Sequence, residues 1–159
     1  MAGQEQGYDA VVDAPFGRLG IRTDAHAVLA IDLVPDTMEL REPGNALARE
    51  VQRQLRAYFR DSSFRFRLPL QAAATPFQGR VRSALRRLRP GHEVSYGQLA
   101  RKLATSPRSI GAACRANPVP IVIPCHRVVG QNGDGGYMGS TGGRALRMKR
   151  WLLMHETGK

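Results

Sequence analysis

The sequence is poor in cysteine, lysine and long apolar runs, and each shortage excludes a class of protein. Two cysteines, Cys114 and Cys125, are too few for a disulfide scaffold and are typical of reduced thiols. With four histidines and one adjacent Cys–His pair, a structural zinc site is disfavoured. No run approaches the roughly 18 apolar residues that span a bilayer. The polar first seven residues lack the features of a secretion signal, so we expect a cytoplasmic protein without a membrane partner.

Acidic residues are scarce in the second half of the chain. Residues 1–74 carry nine Arg and ten Asp or Glu, whereas residues 75–159 carry fifteen basic and three acidic residues. Only three of the 24 basic residues are Lys. Arg binds phosphate through a planar fork and also stacks on bases, so a basic half indicates nucleic-acid binding. A bias towards Arg codons would give the same composition with a merely solvated surface, and composition leaves both interpretations open.

The first half predicts a small α+β domain over residues 1–70. Three short, partly alternating segments (8–13, 18–23 and 27–33) predict strands, with a turn at Pro15–Gly17 between the first two. Apolar residues at helical spacing predict a helix over 46–59 with Asn45 as its N-cap. The alternation of Phe64, Phe66 and Leu68 predicts a further strand. Residues 68–74 are interpreted as a linker.

The second half, residues 71–159, predicts a mainly helical domain. Thr75 caps a helix that has Pro76 at its first position, and Ser95 and Ser106 cap the next two helices. Two short helices around a turn at residues 104–106 form a helix-turn-helix pattern, which is a weak signal by itself. A Pro-rich segment, a Gly-rich loop over 130–143 and an amphipathic helix over about 144–155 follow.

Cys125 is the residue whose surroundings suggest chemistry. It lies in the sequence Ile-Pro-Cys-His-Arg-Val, and a thiol reacts as its thiolate, which a neighbouring imidazole and guanidinium favour. A Cys–His pair alone is more often a structural cysteine with a chance neighbour. Cys114 lies on the apolar side of a predicted helix and is interpreted as a core residue.

Several motifs together resemble the O6-alkylguanine-DNA alkyltransferases, also called methylated-DNA–protein-cysteine methyltransferases. Residues 117–129, NPVPIVIPCHRVV, resemble the active-site signature of that family. Further matches, in chain order, lie at residues 75–78, 94–100, 107–111 and 151–156. The resemblance covers 75–159 closely and 8–70 more loosely. It implies an α+β protein with a ribonuclease H-like N-terminal domain and a winged-helix-like C-terminal domain that carries the helix-turn-helix.

The resemblance also implies a mechanism. A monomer binds the minor groove of double-stranded DNA, largely without regard to sequence, and flips the damaged base out of the stack. Cys125 accepts the alkyl group of O6-alkylguanine, and of O4-alkylthymine, irreversibly and once per molecule. His126 takes the thiol proton through a water, Glu156 orients His126, Tyr96 donates to the flipped base, and Asn117 ties the turn before the cysteine.

Other positions receive roles by the same resemblance. Arg108 fills the space that the flipped base leaves in the stack. The recognition helix presents further residues to the groove, and a pocket receives the base, with main-chain carbonyls of Cys125 and Val128 accepting from the guanine amino group. The groove residues are Ser109, Gly111, Ala112 and Arg115; the pocket residues are Val128, Tyr137, Met138 and Ser140. Neither a cofactor nor a metal is expected, because no cysteine precedes Cys114. Arg82 departs from the family pattern, which often has Trp at this position.

Three other interpretations compete with this one. An alkyltransferase-like protein that only binds lesions has the same fold but lacks the nucleophile, so Cys125 argues against it. A helix-turn-helix transcription regulator usually dimerises, and the sequence contains no dimerisation heptad. A cysteine hydrolase would turn over, whereas the alkyltransferase interpretation predicts transfer of one equivalent.

Overall fold

An antiparallel sheet of three strands opens the fold, in the order β1–β2–β3. The computed structural model describes residues 7–131 and 142–158. The strands are β1 (Ala10–Ala14), β2 (Gly17–Thr23) and β3 (Val28–Val34). The predicted hairpin is confirmed, because Ala14 pairs with Gly17 and the turn lies between them. A register shift at Arg22/Thr23 interrupts the pairing of β2 with β3.

The helix α1 (Ala46–Arg60) packs against β1 and β2. Asn45 caps it as predicted, since its Oδ1 accepts a hydrogen bond from the backbone N–H of Ala48 at 2.8 Å. Apolar residues at helical spacing bury one face of α1 against the sheet. The residues buried on that face are Ala48, Val51, Leu55 and Tyr58.

The predicted strand over Phe64–Leu68 is wrong. The side chains of 64, 66 and 68 are more buried than those of 65 and 67, so the alternation is real. The backbone has no neighbouring strand there within the described part of the chain. Instead, the side-chain amide of Gln54 bonds to both backbone groups of Arg67, accepting from N–H at 2.9 Å and donating to C=O at 3.0 Å. A helical glutamine thus takes the place of a strand partner.

The chain divides into two compact units, Met1–Gln71 and Ala72–Lys159. The start of the segment interpreted as a linker belongs to the first unit. Val28 donates to the carbonyl of Pro69 at 2.8 Å and accepts from the N–H of Gln71 at 3.1 Å, which attaches this segment to β3. The second unit contains four α-helices among its described residues. They are α2 (Pro76–Arg86), α3 (Tyr96–Lys102), α4 (Pro107–Arg115) and α5 (Gly143–Thr157).

The predicted caps of α2, α3 and α4 are confirmed. Thr75, Ser95 and Ser106 each accept a hydrogen bond from the backbone N–H three residues later. Ser95 and Gln98 form a complete capping box.

A left-handed residue that is not glycine makes the turn between α3 and α4. Ala104 has φ +55°, and the N–H groups of Ala104 and Thr105 donate to the carbonyls of Arg101 and Ala100. This is the hydrogen-bond pattern of a Schellman ending, which usually uses glycine because a Cβ is disfavoured at positive φ. The two helices pack against each other after the turn.

Two very short strands connect the helix-turn-helix to the cysteine segment. Val94–Ser95 (β4) pairs in parallel with Val128–Val129 (β5). Because β4 leads directly into α3, this pairing fixes the start of α3 beside the residues that follow Cys125. The fold is therefore a mixture of helices and small sheets, as expected. No helix in the described ranges is long and apolar enough to cross a membrane.

Replacing Gly20 with Ala is expected to destabilise the first unit. A Cβ at Gly20 would lie 2.6 Å from the ring of Tyr8. That ring cannot move freely, because the Tyr8 hydroxyl donates to Asp32 at 2.7 Å and the Arg22 guanidinium lies 5.0 Å above it. Such overpacking costs about 1–3 kcal/mol, measurable as a lower urea midpoint.

Gly44→Ala is the matched control, because its Cβ would meet only the Asp9 carbonyl at 3.6 Å, an ordinary contact. We expect the free energy of unfolding of this control to stay within about 0.5 kcal/mol of the wild-type value. A Gly20→Ala protein as stable as the control would contradict the close approach of Tyr8.

Candidate active site

Cys125 begins a single 3-10 turn, Cys125–Arg127, which precedes β5. The side chain is buried, with 4% of the residue exposed, and the backbone N–H donates to the carbonyl of Ile123 at 2.8 Å. The turn directs the consecutive side chains of Cys125, His126 and Arg127 into the second unit, where all three are buried.

Asn117 joins the end of α4 to the cysteine. Its side-chain N–H groups donate to the Ile123 carbonyl at 2.9 Å and to Sγ of Cys125 at 3.2 Å. Its Oδ1 accepts from the N–H of Val119 at 3.0 Å. A hydrogen bond from an amide to sulfur favours the charged form of the thiol, because the negative charge then has a donor. One side chain therefore both closes the loop and contacts the sulfur of Cys125.

The loop between Asn117 and Cys125 contains a strained residue. Ile121 has φ +76°, a region that a β-branched residue rarely adopts, and it is 2% exposed. Pro120, which precedes it, forms an isolated bridge with Ile123, two positions after it. Such strain persists only where the surrounding packing holds it. The buried loop is thus kept in one tight shape that presents Cys125.

Glu156 on α5 is shared by the two residues that follow the cysteine. Its Oε2 lies 2.8 Å from Nε2 of His126, and its two oxygens accept from the Arg127 guanidinium at 2.9 and 2.8 Å. The carboxylate is 1% exposed and the imidazole 0%. Arg127 also donates to the carbonyl of Leu88 at 2.6 Å. These bonds fasten α5 to the cysteine turn.

This arrangement leaves His126 as a neutral base. The pKa of His126 is lowered, and burial is the largest cause; Glu156 raises this pKa, and the cations of Arg127 and Lys149 lower it. Because the Glu156 carboxylate accepts from Nε2–H, the lone pair lies on Nδ1. That atom is buried and has no hydrogen-bond partner among the described residues. A lone pair in such a position can accept a proton.

Tyr96 and Cys114 share the surroundings of Cys125. Burial raises the pKa of the Tyr96 hydroxyl to about 12, and nearby Cys114 and Cys125 raise it too, so the hydroxyl remains a donor. Cys114, interpreted from the sequence as a core residue, has intermediate exposure. Burial, followed by the effect of Cys125, raises its pKa to about 12. Cys114 is therefore a poor nucleophile.

The residues assigned to the DNA surface lie on α4 with different exposure. Arg108, Ala112 and Arg115 are exposed, whereas Ser109 and Gly111 are half-buried. A Cβ at Gly111 would meet only ordinary contacts, the nearest being Arg115 at 3.8 Å. Internal packing therefore does not require a glycine there.

Comparison with known proteins decides the family. The model of "6-O-methylguanine DNA methyltransferase, DNA binding domain" matches residues 76–158. A methylated-DNA–protein-cysteine methyltransferase of Saccharolobus islandicus is 32% identical over 143 residues, covering 90% of this chain and 91% of the relative. The chain belongs to the 6-O-methylguanine DNA methyltransferase family. The expected resemblance, and the methylated-DNA–protein-cysteine methyltransferase activity class, are thereby confirmed.

Solved structures of Mycobacterium tuberculosis proteins are similar to this methyltransferase. The crystal structure of O6-methylguanine methyltransferase has a TM-score of 0.77 and 30% identity, covering 93% of this chain and 91% of the other. A crystal structure of OGT in complex with DNA has a TM-score of 0.75 and 30% identity, with coverage of 93% and 92%. DNA is thus a supported partner of the family to which this chain belongs.

The structure brings four of the predicted catalytic residues together. Asn117 donates a hydrogen bond to Cys125, and His126 is hydrogen-bonded to Glu156. Because Cys125 and His126 are adjacent in the chain, the four residues form one cluster. Val128 follows the cysteine turn and is buried. Three predicted pocket residues, Tyr137, Met138 and Ser140, lie outside the described residues.

Sequence reasoning missed two cations of this site. Arg127 was considered only as a neighbour of the cysteine, and its bonds to Glu156 and Leu88 follow from the fold. Lys149 is fully buried and donates to the carbonyl of Val128 at 2.7 Å. Its position three residues before buried Leu152 was the one available signal. Within residues 7–131 and 142–158, no group of three or more His, Cys, Asp or Glu is arranged to hold a metal.

Burial of neutral His126 predicts that this methyltransferase loses stability in mild acid. The folded-state pKa lies below the ordinary value of 6.5, so the unfolded chain binds more protons as the pH falls below 6.5. Stability then falls with decreasing pH by at most about 1.4 kcal/mol per unit from this one group. Urea unfolding between pH 7.5 and 5.5 measures the dependence.

His126→Gln is expected to be less stable at pH 7.5 and to lose part of that pH dependence. His92→Gln is the matched control, because His92 is exposed. If the His126 and His92 variants retain the same pH dependence as the wild type, the buried imidazole does not ionise on unfolding in this range.

Proposed function

We propose that the protein repairs DNA directly by moving the alkyl group from O6 of a guanine in duplex DNA to Sγ of Cys125. The observation that carries this proposal is a buried cluster. In it, Asn117 donates a hydrogen bond to the sulfur, and Glu156 binds Nε2 of His126, whose Nδ1 has no hydrogen-bond partner among the described residues. The cluster supplies a stabilised thiolate and a nearby base. Family membership supports the substrate class.

The transfer is a single displacement at a saturated carbon. The thiol proton passes through a water to Nδ1 of His126, and the positive charge on the imidazole is supported by buried Glu156. The thiolate then forms a C–S bond while the C–O bond to guanine breaks, and the electron pair of that bond stays with the base. The Tyr96 hydroxyl donates to the departing guanine. The thioether that results has no hydrolytic route, so each molecule acts once.

Access to the base requires that it leave the stack, because the reactive sulfur is buried. We assign this step to α4, with Ser109, Gly111, Ala112 and Arg115 in the minor groove. Small residues allow close approach to a narrow groove, and mostly backbone contacts suit repair at any sequence. Exposed Arg108 enters the gap that the base leaves.

The proposal extends to the arrangement of the domains and to the biological setting. Residues 1–70 form the ribonuclease H-like domain and residues 71–159 the winged-helix-like domain, and the protein acts as a monomer. O4-alkylthymine is a second substrate. A nucleophilic thiol has to remain reduced, which agrees with two cysteines that are not joined in a disulfide and with a cytoplasmic location.

Mass spectrometry tests the transfer. After mixing with excess duplex that carries one O6-methylguanine, the intact protein is expected to gain one methyl group, located on Cys125 by peptide mapping. Cys125→Ser is expected to bind the duplex and gain none. Cys114→Ser, the matched control, is expected to gain one like the wild type.

Methylation of the Cys125→Ser protein would contradict the assignment of Cys125 as the nucleophile. Tight binding by the wild type without any gain would place the protein among lesion-recognition proteins instead.

Arg108→Ala tests base flipping. Loss of the side chain that fills the stack is expected to lower the transfer rate on duplex by about tenfold or more, since unstacking costs a few kcal/mol. The rate with O6-methylguanine as the free base should not change, because no stack has to open. Single-turnover rates at saturating substrate measure both.

Arg101→Ala removes an exposed arginine from the neighbouring helix and serves as control. It is expected to weaken DNA affinity without lowering the saturated rate. Equal loss by Arg108→Ala on duplex and on free base would mean that Arg108 has no part in flipping.

A further inference from the structure

A side chain from a third helix bonds to the turn between α3 and α4. Arg80 on α2 donates from its guanidinium to the main-chain carbonyl of Leu103 at 2.8 Å. Leu103 is the C-cap of α3, and the carbonyls at the end of a helix have no partner within that helix. A cation at this end also complements the helix dipole. Arg80 therefore joins α2 to the end of α3.

The same turn contains the unfavourable backbone of Ala104. This residue directly follows Leu103 and has φ +55°, a conformation in which a Cβ is disfavoured. Backbone strain of this kind persists only where other contacts hold it. The bond from Arg80 is such a contact, because it comes from outside the two helices and acts on the residue beside Ala104.

The direction in which the chain leaves Ala104 determines where α4 begins. Ser106, the N-cap of α4, follows two residues later, and Arg108 lies in the first turn of the helix. The helix α2 also packs against α4. A different backbone conformation at Ala104 would therefore reorient the helix that is assigned to the minor groove.

We propose that Arg80 is a positioning residue for DNA binding, which holds the left-handed turn at Ala104 and thereby sets the orientation of α4. This inference rests on the proposed function, in which α4 lies in the groove. Two other roles would give different results. An arginine that contacted a phosphate would act through its charge, and one that only supported the fold would also affect reactions without DNA.

Affinity for an unmodified duplex tests the role, because it requires α4 but no alkyl transfer. Arg80→Leu is compared with Arg86→Leu, the matched control, which removes the same charge from an exposed position on the same helix. Arg80→Leu is expected to bind about fivefold more weakly than the control, the effect of one hydrogen bond. Arg80→Lys, which keeps a donor and the charge, is expected to recover most of the affinity.

The salt dependence of binding separates positioning from a phosphate contact. Fluorescence anisotropy at several salt concentrations gives the slope of log affinity against log salt. Loss of one phosphate contact would reduce the magnitude of that slope by about 0.9. We expect the same slope for Arg80→Leu and Arg86→Leu.

Ala104→Gly tests whether Arg80 acts through the turn. Glycine adopts positive φ without the penalty of a Cβ, so the turn depends less on the bond from Arg80. In the Ala104→Gly background, the difference between Arg80→Leu and Arg86→Leu is expected to shrink to within about twofold. Transfer from O6-methylguanine as the free base should stay within about twofold of the wild-type rate in every variant, because no DNA is bound.

Equal affinities of the Arg80→Leu and Arg86→Leu proteins would overturn this inference, and so would a fivefold difference that persists in the Ala104→Gly background. A smaller salt slope for Arg80→Leu alone would show a phosphate contact, and a parallel loss of transfer from the free base would show a role in the fold. Either result would also overturn the inference. Failure of the wild type to bind duplex, or to accept a methyl group from methylated duplex, would instead reject the proposed function.

Discussion

The site depends on a single buried carboxylate, that of Glu156. A buried charge is tolerated only when its lone pairs are satisfied, and here His126 and Arg127 occupy both oxygens. The same bonds fix the tautomer of His126, orient Arg127 towards the end of α2 and hold α5 against the cysteine turn. Removal of the carboxylate would leave a buried guanidinium without its counter-ion. The architecture of the site and the proposed chemistry therefore both depend on one side chain.

The short parallel pairing of β4 with β5 is the second constraint. It contains only two residues on each side, Val94 with Val128 and Ser95 with Val129. Ser95 is also the N-cap of α3, so the pairing sets the start of the helix-turn-helix relative to Cys125. Asn117 makes the corresponding connection from the end of α4. The elements proposed to bind DNA are thereby fastened at both ends to the elements proposed to react.

The basic residues of the second half divide into two groups that composition alone cannot separate. Arg108 and Arg115 on α4 are exposed, as an electrostatic surface for DNA requires. Arg127 and Lys149 are buried and bond to Glu156, Leu88 and Val128. These two cations contribute to the site rather than to the surface, and both lower the pKa of His126. The net charge of residues 75–159 therefore overstates the positive charge that is available to contact nucleic acid.

The sequence by itself determined the features that depend on neighbours along the chain. The caps at Asn45, Thr75, Ser95 and Ser106 were predictable because each bonds to a residue three positions away. The cysteine motif likewise predicted Cys125 and His126 as site residues through adjacent residues. Only the tertiary structure decided that Gln54 replaces a strand partner for Arg67, that Ala104 and Ile121 adopt positive φ without glycine, and that Lys149 is buried at Val128. These features depend on packing or on partners distant in the chain. A local sequence pattern does not indicate which distant group will form the hydrogen bond to a backbone group or pair with a buried charge.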